Sequence, residues 1–149
     1  MIIPDTNLLV YSYDSKSPYH DRARSWWEGV LSGPEPVGIP WIVVLAFTRL
    51  VTHPTLNENP MTVVQAREAV MAWLSVSHVR ILETTPATID LFFNLLTAAG
   101  TGGNLSTDAM IAALATEYGG RVFSNDRDFG RFPGIKWQNP LAKIQARRP

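Results

Sequence analysis

The chain begins with residues 1–11, MIIPDTNLLVY, in which a short apolar run ends on an aspartate. Ile2 and Ile3 are β-branched residues that favour a strand, and Asp5 follows them after a single proline. Burying an unpaired carboxylate is costly, so Asp5 is either a solvated turn residue or a group that meets a positive partner. The stretch therefore predicts a first strand with an acidic group at its carboxyl end.

The rest of the chain alternates short β-like runs with longer helix-like segments. Further strands are predicted at residues 36–40, 79–82, 121–124 and 135–137, and helices at 18–31, 41–52, 62–74, 85–99 and 107–118. Strands separated by helices predict right-handed βαβ units and a parallel sheet covered on both faces. We expect an α/β fold, a three-layer α/β/α sandwich with a central, mainly parallel sheet of about five strands, in one domain over residues 1–149.

The composition excludes several kinds of protein. The absence of cysteine rules out a disulfide scaffold, a zinc–thiolate site and a cysteine nucleophile. Neither a signal peptide nor an apolar run of about 20 residues is present, so we expect a cytoplasmic protein with no membrane partner. The formal net charge is +0, so nucleic-acid binding would need a local positive charge. The tail with Lys143, Arg147 and Arg148 is one candidate, and a frayed, solvated end is the alternative.

Carboxylates follow the strand ends. Asp126 and Asp128 come just after the strand RVFSN, and Asp108 lies in the first turn of the helix that follows NLST. Carboxyl ends of parallel strands meet at one edge of a sheet, so we expect these groups to lie near Asp5. Each has an ordinary alternative: a first-turn acid for Asp108, a polar turn for the pair, and a capping role for Asp5.

Clustered carboxylates need a counter-charge. Two of them about 4 Å apart repel by about 4 kcal/mol at an effective dielectric constant of about 20. Oxygen ligands without imidazole suit Mg²⁺ or Mn²⁺, ions that favour phosphate substrates, activate water and stabilise a leaving oxygen. Because His20, His53 and His78 show no ligand spacing, no histidine base is expected, and phosphodiester hydrolysis is the chemistry that the cluster predicts.

Four stretches carry a resemblance to a known family. They are DTNLLVY at 5–11, PWIVVLAFTRLVTHP at 40–54, GNLSTDAMIAALA at 103–115 and SNDRDFGRFPGIKW at 124–137. In order and spacing the chain resembles a PIN-domain ribonuclease and, more narrowly, the VapC toxins of bacterial type II toxin–antitoxin pairs. The resemblance implies a PIN-like sandwich, Mg²⁺-dependent endonuclease activity on RNA of the tRNA or rRNA class, a cognate antitoxin and a homodimer.

The resemblance also assigns roles by position. Asp5 and Asp108 match the principal metal ligands, Asp126 matches the next acidic site, and Asp128 matches a more variable acid that acts through water. All four are expected to be catalytic. Hydroxyl groups near the cluster are expected from two further residues, Thr6 and Ser124.

One position departs from the family pattern. Many PIN domains carry a glutamate before the aromatic-x-Arg of the helix after the second strand, where this chain has Ala46. We therefore expect one ion to bind well through Asp5 and Asp108, and a second ion to need RNA phosphate as a ligand. Arginines at positions 49, 127 and 131 are candidates for binding the RNA backbone, with an ion pair for Arg49 and surface solvation for the others as alternatives.

Two alternative functions have some support in the sequence. A haloacid-dehalogenase-type phosphotransferase also begins from a strand-end aspartate, but it needs a second aspartate where this chain has Asn7. A catalytically weak or inactive PIN-fold binding module is supported by Ala46 alone, and the presence of four acids argues against it.

Overall fold

The computed structural model describes residues 1–143, and the sheet at its centre has five strands. The strands are β1 (Ile2–Pro4), β2 (Val37–Pro40), β3 (Val79–Leu82), β4 (Arg121–Phe123) and β5 (Trp137–Gln138). All of them pair in parallel, in the order β3-β2-β1-β4-β5. The predicted parallel sheet of about five strands is confirmed. Of the predicted basic tail, Lys143 is described, whereas Arg147 and Arg148 lie outside the described residues.

Six α-helices lie in the described part of the chain and flank the sheet. They are α1 (Thr6–Tyr13), α2 (His20–Ser32), α3 (Trp41–Val51), α4 (Val63–Leu74), α5 (Pro86–Ala99) and α6 (Ser106–Glu117), with 3₁₀ turns at Gly103–Leu105 and Arg127–Arg131. Every residue of β1 and β2 is buried, as expected for strands covered on both faces. None of the helices within residues 1–143 is both long enough and apolar enough to cross a membrane.

Local sequence explains most of the helix boundaries. Thr62 and Gln65 form a capping box at the start of α4, and Thr85 and Thr88 form one at the start of α5. The left-handed conformation of Gly100, with φ of 74°, ends α5. The helix α1 was not predicted: it begins directly after β1, where the Asp5 side chain accepts a hydrogen bond from the Thr6 N–H and caps it.

The register of the central strands positions the site. Pro4 of β1 pairs with Phe123 of β4, so Asp5 and Ser124 emerge side by side at the carboxyl edge of the sheet. The order of the strands reverses at β1 and β4, and in open parallel sheets ligands bind at such a switch point. On the other side of β1, Pro4 has no N–H to continue the ladder to β2 beyond the pair of Ile2 and Val37.

Candidate metal centre

Three carboxylates gather at the carboxyl edge of the sheet. One oxygen each from Asp108, Asp126 and Asp128 can be chosen so that all three lie within 4.8 Å of one another. The first turn of α6 supplies Asp108, and the 3₁₀ turn after β4 supplies the other two. Asp126 caps that turn because its Oδ1 accepts a hydrogen bond of 2.9 Å from the Asp128 N–H. Two segments distant in sequence therefore present their acids to one point.

Asp5 lies beside this set of three and is buried, with 6% of its surface exposed. Its Oδ1 accepts from the Thr6 N–H at 2.7 Å, and its Oδ2 accepts from the Ser124 hydroxyl at 2.6 Å. Burial raises the pKa of Asp5, and these two hydrogen bonds oppose the rise. Asp5 is outside the group of acids whose oxygens lie within 4.8 Å, so its predicted place as a principal ligand stays a prediction.

The Ser124 hydroxyl joins Asp5 to the acidic turn, which comprises residues 126–131. Its oxygen accepts from Asn7 Nδ2 at 3.2 Å and from the Asp126 N–H at 2.9 Å. Both lone pairs are thus occupied by donors, so the single hydroxyl proton points to Asp5 Oδ2. A donor fixed in this direction favours the ionised form of Asp5.

Asp108 shows the electrostatic consequence of this crowding. Burial is the largest cause that raises the pKa of Asp108 from 3.8 to about 7. The charge on Asp5 adds to the effect, followed by the charges on Asp126 and Asp128. The ion pairs of residues 1–143 all lie elsewhere and involve Glu28, Glu35 and Glu58. The four aspartates therefore have no basic side chain of the described chain to neutralise them.

The other predicted residues lie around the cluster in different ways. Thr6 is buried next to Asp5, and its hydroxyl has no hydrogen-bond partner within the described residues. Arg127 and Arg131 are exposed on the acidic turn itself, and Arg49 is exposed on α3. Arg49 forms no ion pair in the part of the chain that the structure describes, so the predicted alternative of a partner acid is absent there. Ala46 is partly buried on α3 and contributes no carboxylate.

Three asparagines that support the site are not among the residues predicted from the sequence. Asn7 bonds to Ser124, the Asn125 N–H donates to Asn7 Oδ1 at 3.4 Å, and Asn139 Nδ2 donates to Asn125 Oδ1 at 2.8 Å. Asn125 and Asn139 lie just beyond the ends of β4 and β5, and Asn7 lies in the first turn of α1, the helix that follows β1. Their place after strand ends is a signal in the sequence that could have revealed them.

The donor set fits a hard divalent cation. All of the candidate ligands are carboxylate oxygens, which Mg²⁺, Mn²⁺ and Ca²⁺ prefer, and no histidine belongs to the group within the described chain. Burial and the neighbouring carboxylates both raise the pKa of Asp108, and a bound cation would favour its ionised form. The cluster can therefore bind a metal ion at the switch point of a parallel sheet.

Comparison with known proteins identifies the family and agrees with the fold. The family model described as PIN domain matches residues 2–135. The chain belongs to the PIN-domain family, which confirms the resemblance and the fold class expected from the sequence.

Its relatives narrow the class to VapC-type ribonucleases. The chain is 39% identical over 144 residues to Ribonuclease VapC37 of Mycobacterium tuberculosis, covering 97% of this chain and 100% of that protein. It is 36% identical over 141 residues to Ribonuclease VapC33 of the same species, covering 95% and 99%.

Solved structures support the fold. VapC20 of Mycobacterium tuberculosis, described as a sarcin-ricin loop cleaving toxin, has a TM-score of 0.67 at 19% identity, covering 91% of this chain and 99% of that chain. VapBC2 from Rickettsia felis, solved with a promoter DNA fragment, has a TM-score of 0.65 at 21% identity, covering 93% and 98%. At these identities the likeness concerns the fold alone.

Proposed function

We propose that this chain, as a single PIN domain, is a Mg²⁺-dependent endoribonuclease and the toxin of a type II toxin–antitoxin pair that acts in the cytoplasm. The observation that carries the proposal is the acidic cluster of Asp108, Asp126 and Asp128, whose oxygens lie within 4.8 Å of one another without a basic partner among residues 1–143. The relatives named as VapC ribonucleases support the choice of RNA as substrate.

The aspartates have distinct roles in this proposal. Asp5, Asp108 and Asp126 hold the ion, and Asp128 assists through water. When bound, Mg²⁺ supplies Lewis-acid stabilisation of the charge on the reacting phosphodiester and activates the attacking water. Asp108 must release its proton to become a ligand, because its pKa of about 7 keeps a fraction protonated at neutral pH. The hydrogen bond from the Ser124 hydroxyl opposes the rise in the pKa of Asp5 that burial causes, and so favours the ionised form that binds a cation.

The number of ions is proposed from the missing glutamate. With Ala46 on α3, one ion binds well, and a second ion requires a phosphate oxygen of RNA to complete its ligands. Calorimetric titration with Mn²⁺, as a substitute for Mg²⁺, should show one tight site in the absence of RNA. Two tight sites in that titration would contradict this part of the proposal.

The partners follow from the charges and from the neighbours. Arg127 and Arg131 are exposed on the acidic turn, where they can attract the RNA backbone towards the carboxylates, and Arg49 is a further candidate on α3. We propose RNA of the tRNA or rRNA class as substrate. A cognate antitoxin is proposed because the structural neighbours include VapBC complexes and a toxin–antitoxin complex from Klebsiella pneumoniae. We also propose that the chain forms a homodimer.

The decisive experiment is RNA cleavage by the purified chain. Cleavage should require Mg²⁺ or Mn²⁺, should stop in excess EDTA, and should be abolished by Asp5→Asn. Asp90→Asn is the matched control, since it changes an exposed aspartate on α5 in the same way. The products should carry 3′-hydroxyl and 5′-phosphate ends. Ends with a 2′,3′-cyclic phosphate would mean attack by the ribose hydroxyl and would refute hydrolysis by water.

The second candidate function is a PIN-fold binding module with weak or no catalysis, which Ala46 favours by removing one acid. A growth assay separates the two functions. Expression of the chain without an antitoxin should arrest growth if the site is active, and the Asp5→Asn variant should not. Equal arrest by both chains would favour the binding module.

A further inference from the structure

The segment after β5 is tied to the acidic turn by a side-chain amide. Asn139 Nδ2 donates a hydrogen bond of 2.8 Å to Asn125 Oδ1, although the two residues are 14 positions apart. The other end of the amide is also fixed, since Asn139 Oδ1 accepts from the Leu141 N–H at 2.9 Å. Both ends of the Asn139 side chain are therefore held.

This segment is itself anchored to the body of the protein. Leu141 is buried, with 3% of its surface exposed, and its carbonyl accepts a hydrogen bond from the Arg22 guanidinium of α2. On the strand side, the Gln138 carbonyl accepts from the Ser124 N–H at 3.1 Å. The backbone on both sides of Asn139 is therefore held in place by hydrogen bonds to the rest of the protein.

The receiving residue, Asn125, lies one position before Asp126. The Asn125 N–H donates to Asn7 Oδ1 at 3.4 Å. Asn125 is therefore held through its backbone by Asn7 of α1 and through its side chain by Asn139. The Ser124–Asn125 segment is held from β5, from α1 and from the segment after β5. The direction in which the chain enters the acidic turn is set by these contacts.

Support of this kind is needed because the carboxylates repel one another. Oxygens of Asp126 and Asp128 lie within 4.8 Å of an oxygen of Asp108, and carboxylates at such distances repel, which favours movement of the turn away from α6. A turn of five residues has little internal stability with which to resist. Holding its entry rigid keeps the ligands in place before a cation arrives.

We propose that Asn139 is a positioning residue for the metal ligands, acting through Asn125. The inference rests on the proposed function, since it assumes that the acidic cluster binds a divalent cation. Hydrogen-bonded groups behind metal ligands change affinity or activity by about 10-fold to 100-fold when they are removed. Removal of the Asn139 amide should therefore weaken metal binding without removing any ligand.

The test measures Mn²⁺ binding by calorimetry in the full-length chain. Asn139→Ala should weaken binding by about 10-fold and lower kcat more than it changes KM for RNA. Asn139→Ser keeps a hydroxyl that can accept from the Leu141 N–H, as in a serine turn, but offers no amide to Asn125. Asn139→Ser should lose as much Mn²⁺ affinity as Asn139→Ala, and its melting temperature should fall less. Gln138→Ala, an exposed neighbour on β5, is the control and should bind Mn²⁺ normally.

A double-mutant cycle tests the route through Asn125. In an Asn125→Ala background, the further change Asn139→Ala should have no additional effect on Mn²⁺ affinity. Amide hydrogen exchange in the metal-free chain should show faster exchange at Asp126 and Asp128 in Asn139→Ala than in the wild type.

Failure of this inference is distinguishable from failure of the proposed function. Normal Mn²⁺ affinity in folded Asn139→Ala or Asn139→Ser, or additive losses in the double variant, would overturn the inference and leave the nuclease proposal intact. A wild-type chain that binds no Mn²⁺ would overturn both.

Discussion

The carboxylates at the two edges of the sheet differ in whether a basic group neutralises them. At the amino edge, Arg121 at the start of β4 donates to both carboxylate oxygens of Glu35, at 2.8 and 3.0 Å, and the Met1 ammonium lies 3.4 Å from the same carboxylate. At the carboxyl edge, four aspartates gather and none of them pairs with a basic side chain of residues 1–143.

The pKa values report the same difference. Hydrogen bonding from Arg121 is the largest cause that lowers the pKa of Glu35, whereas burial and neighbouring carboxylates raise the pKa of Asp108 to about 7. A protein that needed only a stable sheet would neutralise both edges. The carboxyl edge keeps its excess negative charge, and it is the edge at which the acidic side chains could hold a cation.

The largest expected effect comes from removing a carboxylate at the acidic edge. Asp108→Asn should lower RNA cleavage by at least about 100-fold, because it removes a proposed ligand while keeping the shape of the side chain. The melting temperature of the metal-free chain should stay the same or rise, since repulsion is relieved. Measurement of both quantities in one preparation separates loss of chemistry from loss of folding. Cleavage within about 3-fold of wild type would remove Asp108 from the proposed site.

The pH dependence at this edge should be the next largest effect. Because a cation must displace the proton on Asp108, Mn²⁺ affinity should fall by about 10-fold per pH unit below about 7. Calorimetric titration at a series of pH values measures this slope. An affinity that is the same at about pH 6 and about pH 8 would contradict it.

The same group predicts an unusual stability profile without metal. The folded chain holds the Asp108 proton up to about pH 7, whereas the unfolded chain loses it near the ordinary pKa of 3.8. The folded state binds more protons in that window, so stability falls as pH rises through it. After allowance for partial solvent exposure, the melting temperature should fall by about 3 °C. The Asp108→Asn chain has no titrating group at this position, so its melting temperature should not show this fall, and it serves as the control.

A smaller effect is expected from adding an acid where the family pattern has one. Ala46→Glu should tighten binding of a second Mn²⁺ by about 5-fold in the absence of RNA, because α3 starts at the same edge of the sheet. Ala46→Gln is the matched control, with the same length and no charge. Equal titrations of the two variants would show that position 46 does not face the ions.

The smallest effect is expected at the opposite edge. Glu35→Gln should lower the free energy of unfolding by about 0.5 kcal/mol, because the pair with Arg121 is partly exposed to solvent. It should leave Mn²⁺ affinity and RNA cleavage unchanged. A change in metal binding would mean that the two edges are coupled through β1 and β4, and the comparison would need a different explanation.

Much of the fold was predictable because local signals coincide with the element boundaries. The predicted helices at 41–52, 62–74 and 85–99 agree with α3, α4 and α5 to within one residue at each end. Caps such as Thr62 and Thr85 act within a few residues of the chain, so they can be read from the sequence. The helix α1 was missed because nothing separates it from β1: its capping residue is also the strand-end acid that was assigned to the site.

The site was predictable only in part. Its acids were expected together because they follow strand ends, and the structure brings Asp108, Asp126 and Asp128 to one point. The hydrogen bond between Asn125 and Asn139 depends on how β4 and β5 pair, which no local pattern specifies. For Asp5, the hydrogen bond from the Thr6 N–H is the local capping role that the sequence offered as an alternative, whereas the one from Ser124 depends on the pairing of β1 with β4.

The arrangement around Ser124 has a consequence for the electrical state of the pocket. Its oxygen is saturated by two N–H groups, and its proton is committed to Asp5. Replacement of Ser124 by alanine would remove this hydrogen bond, and burial would then raise the pKa of Asp5 further. The net charge that an arriving cation meets is therefore governed by a side chain that carries no charge of its own.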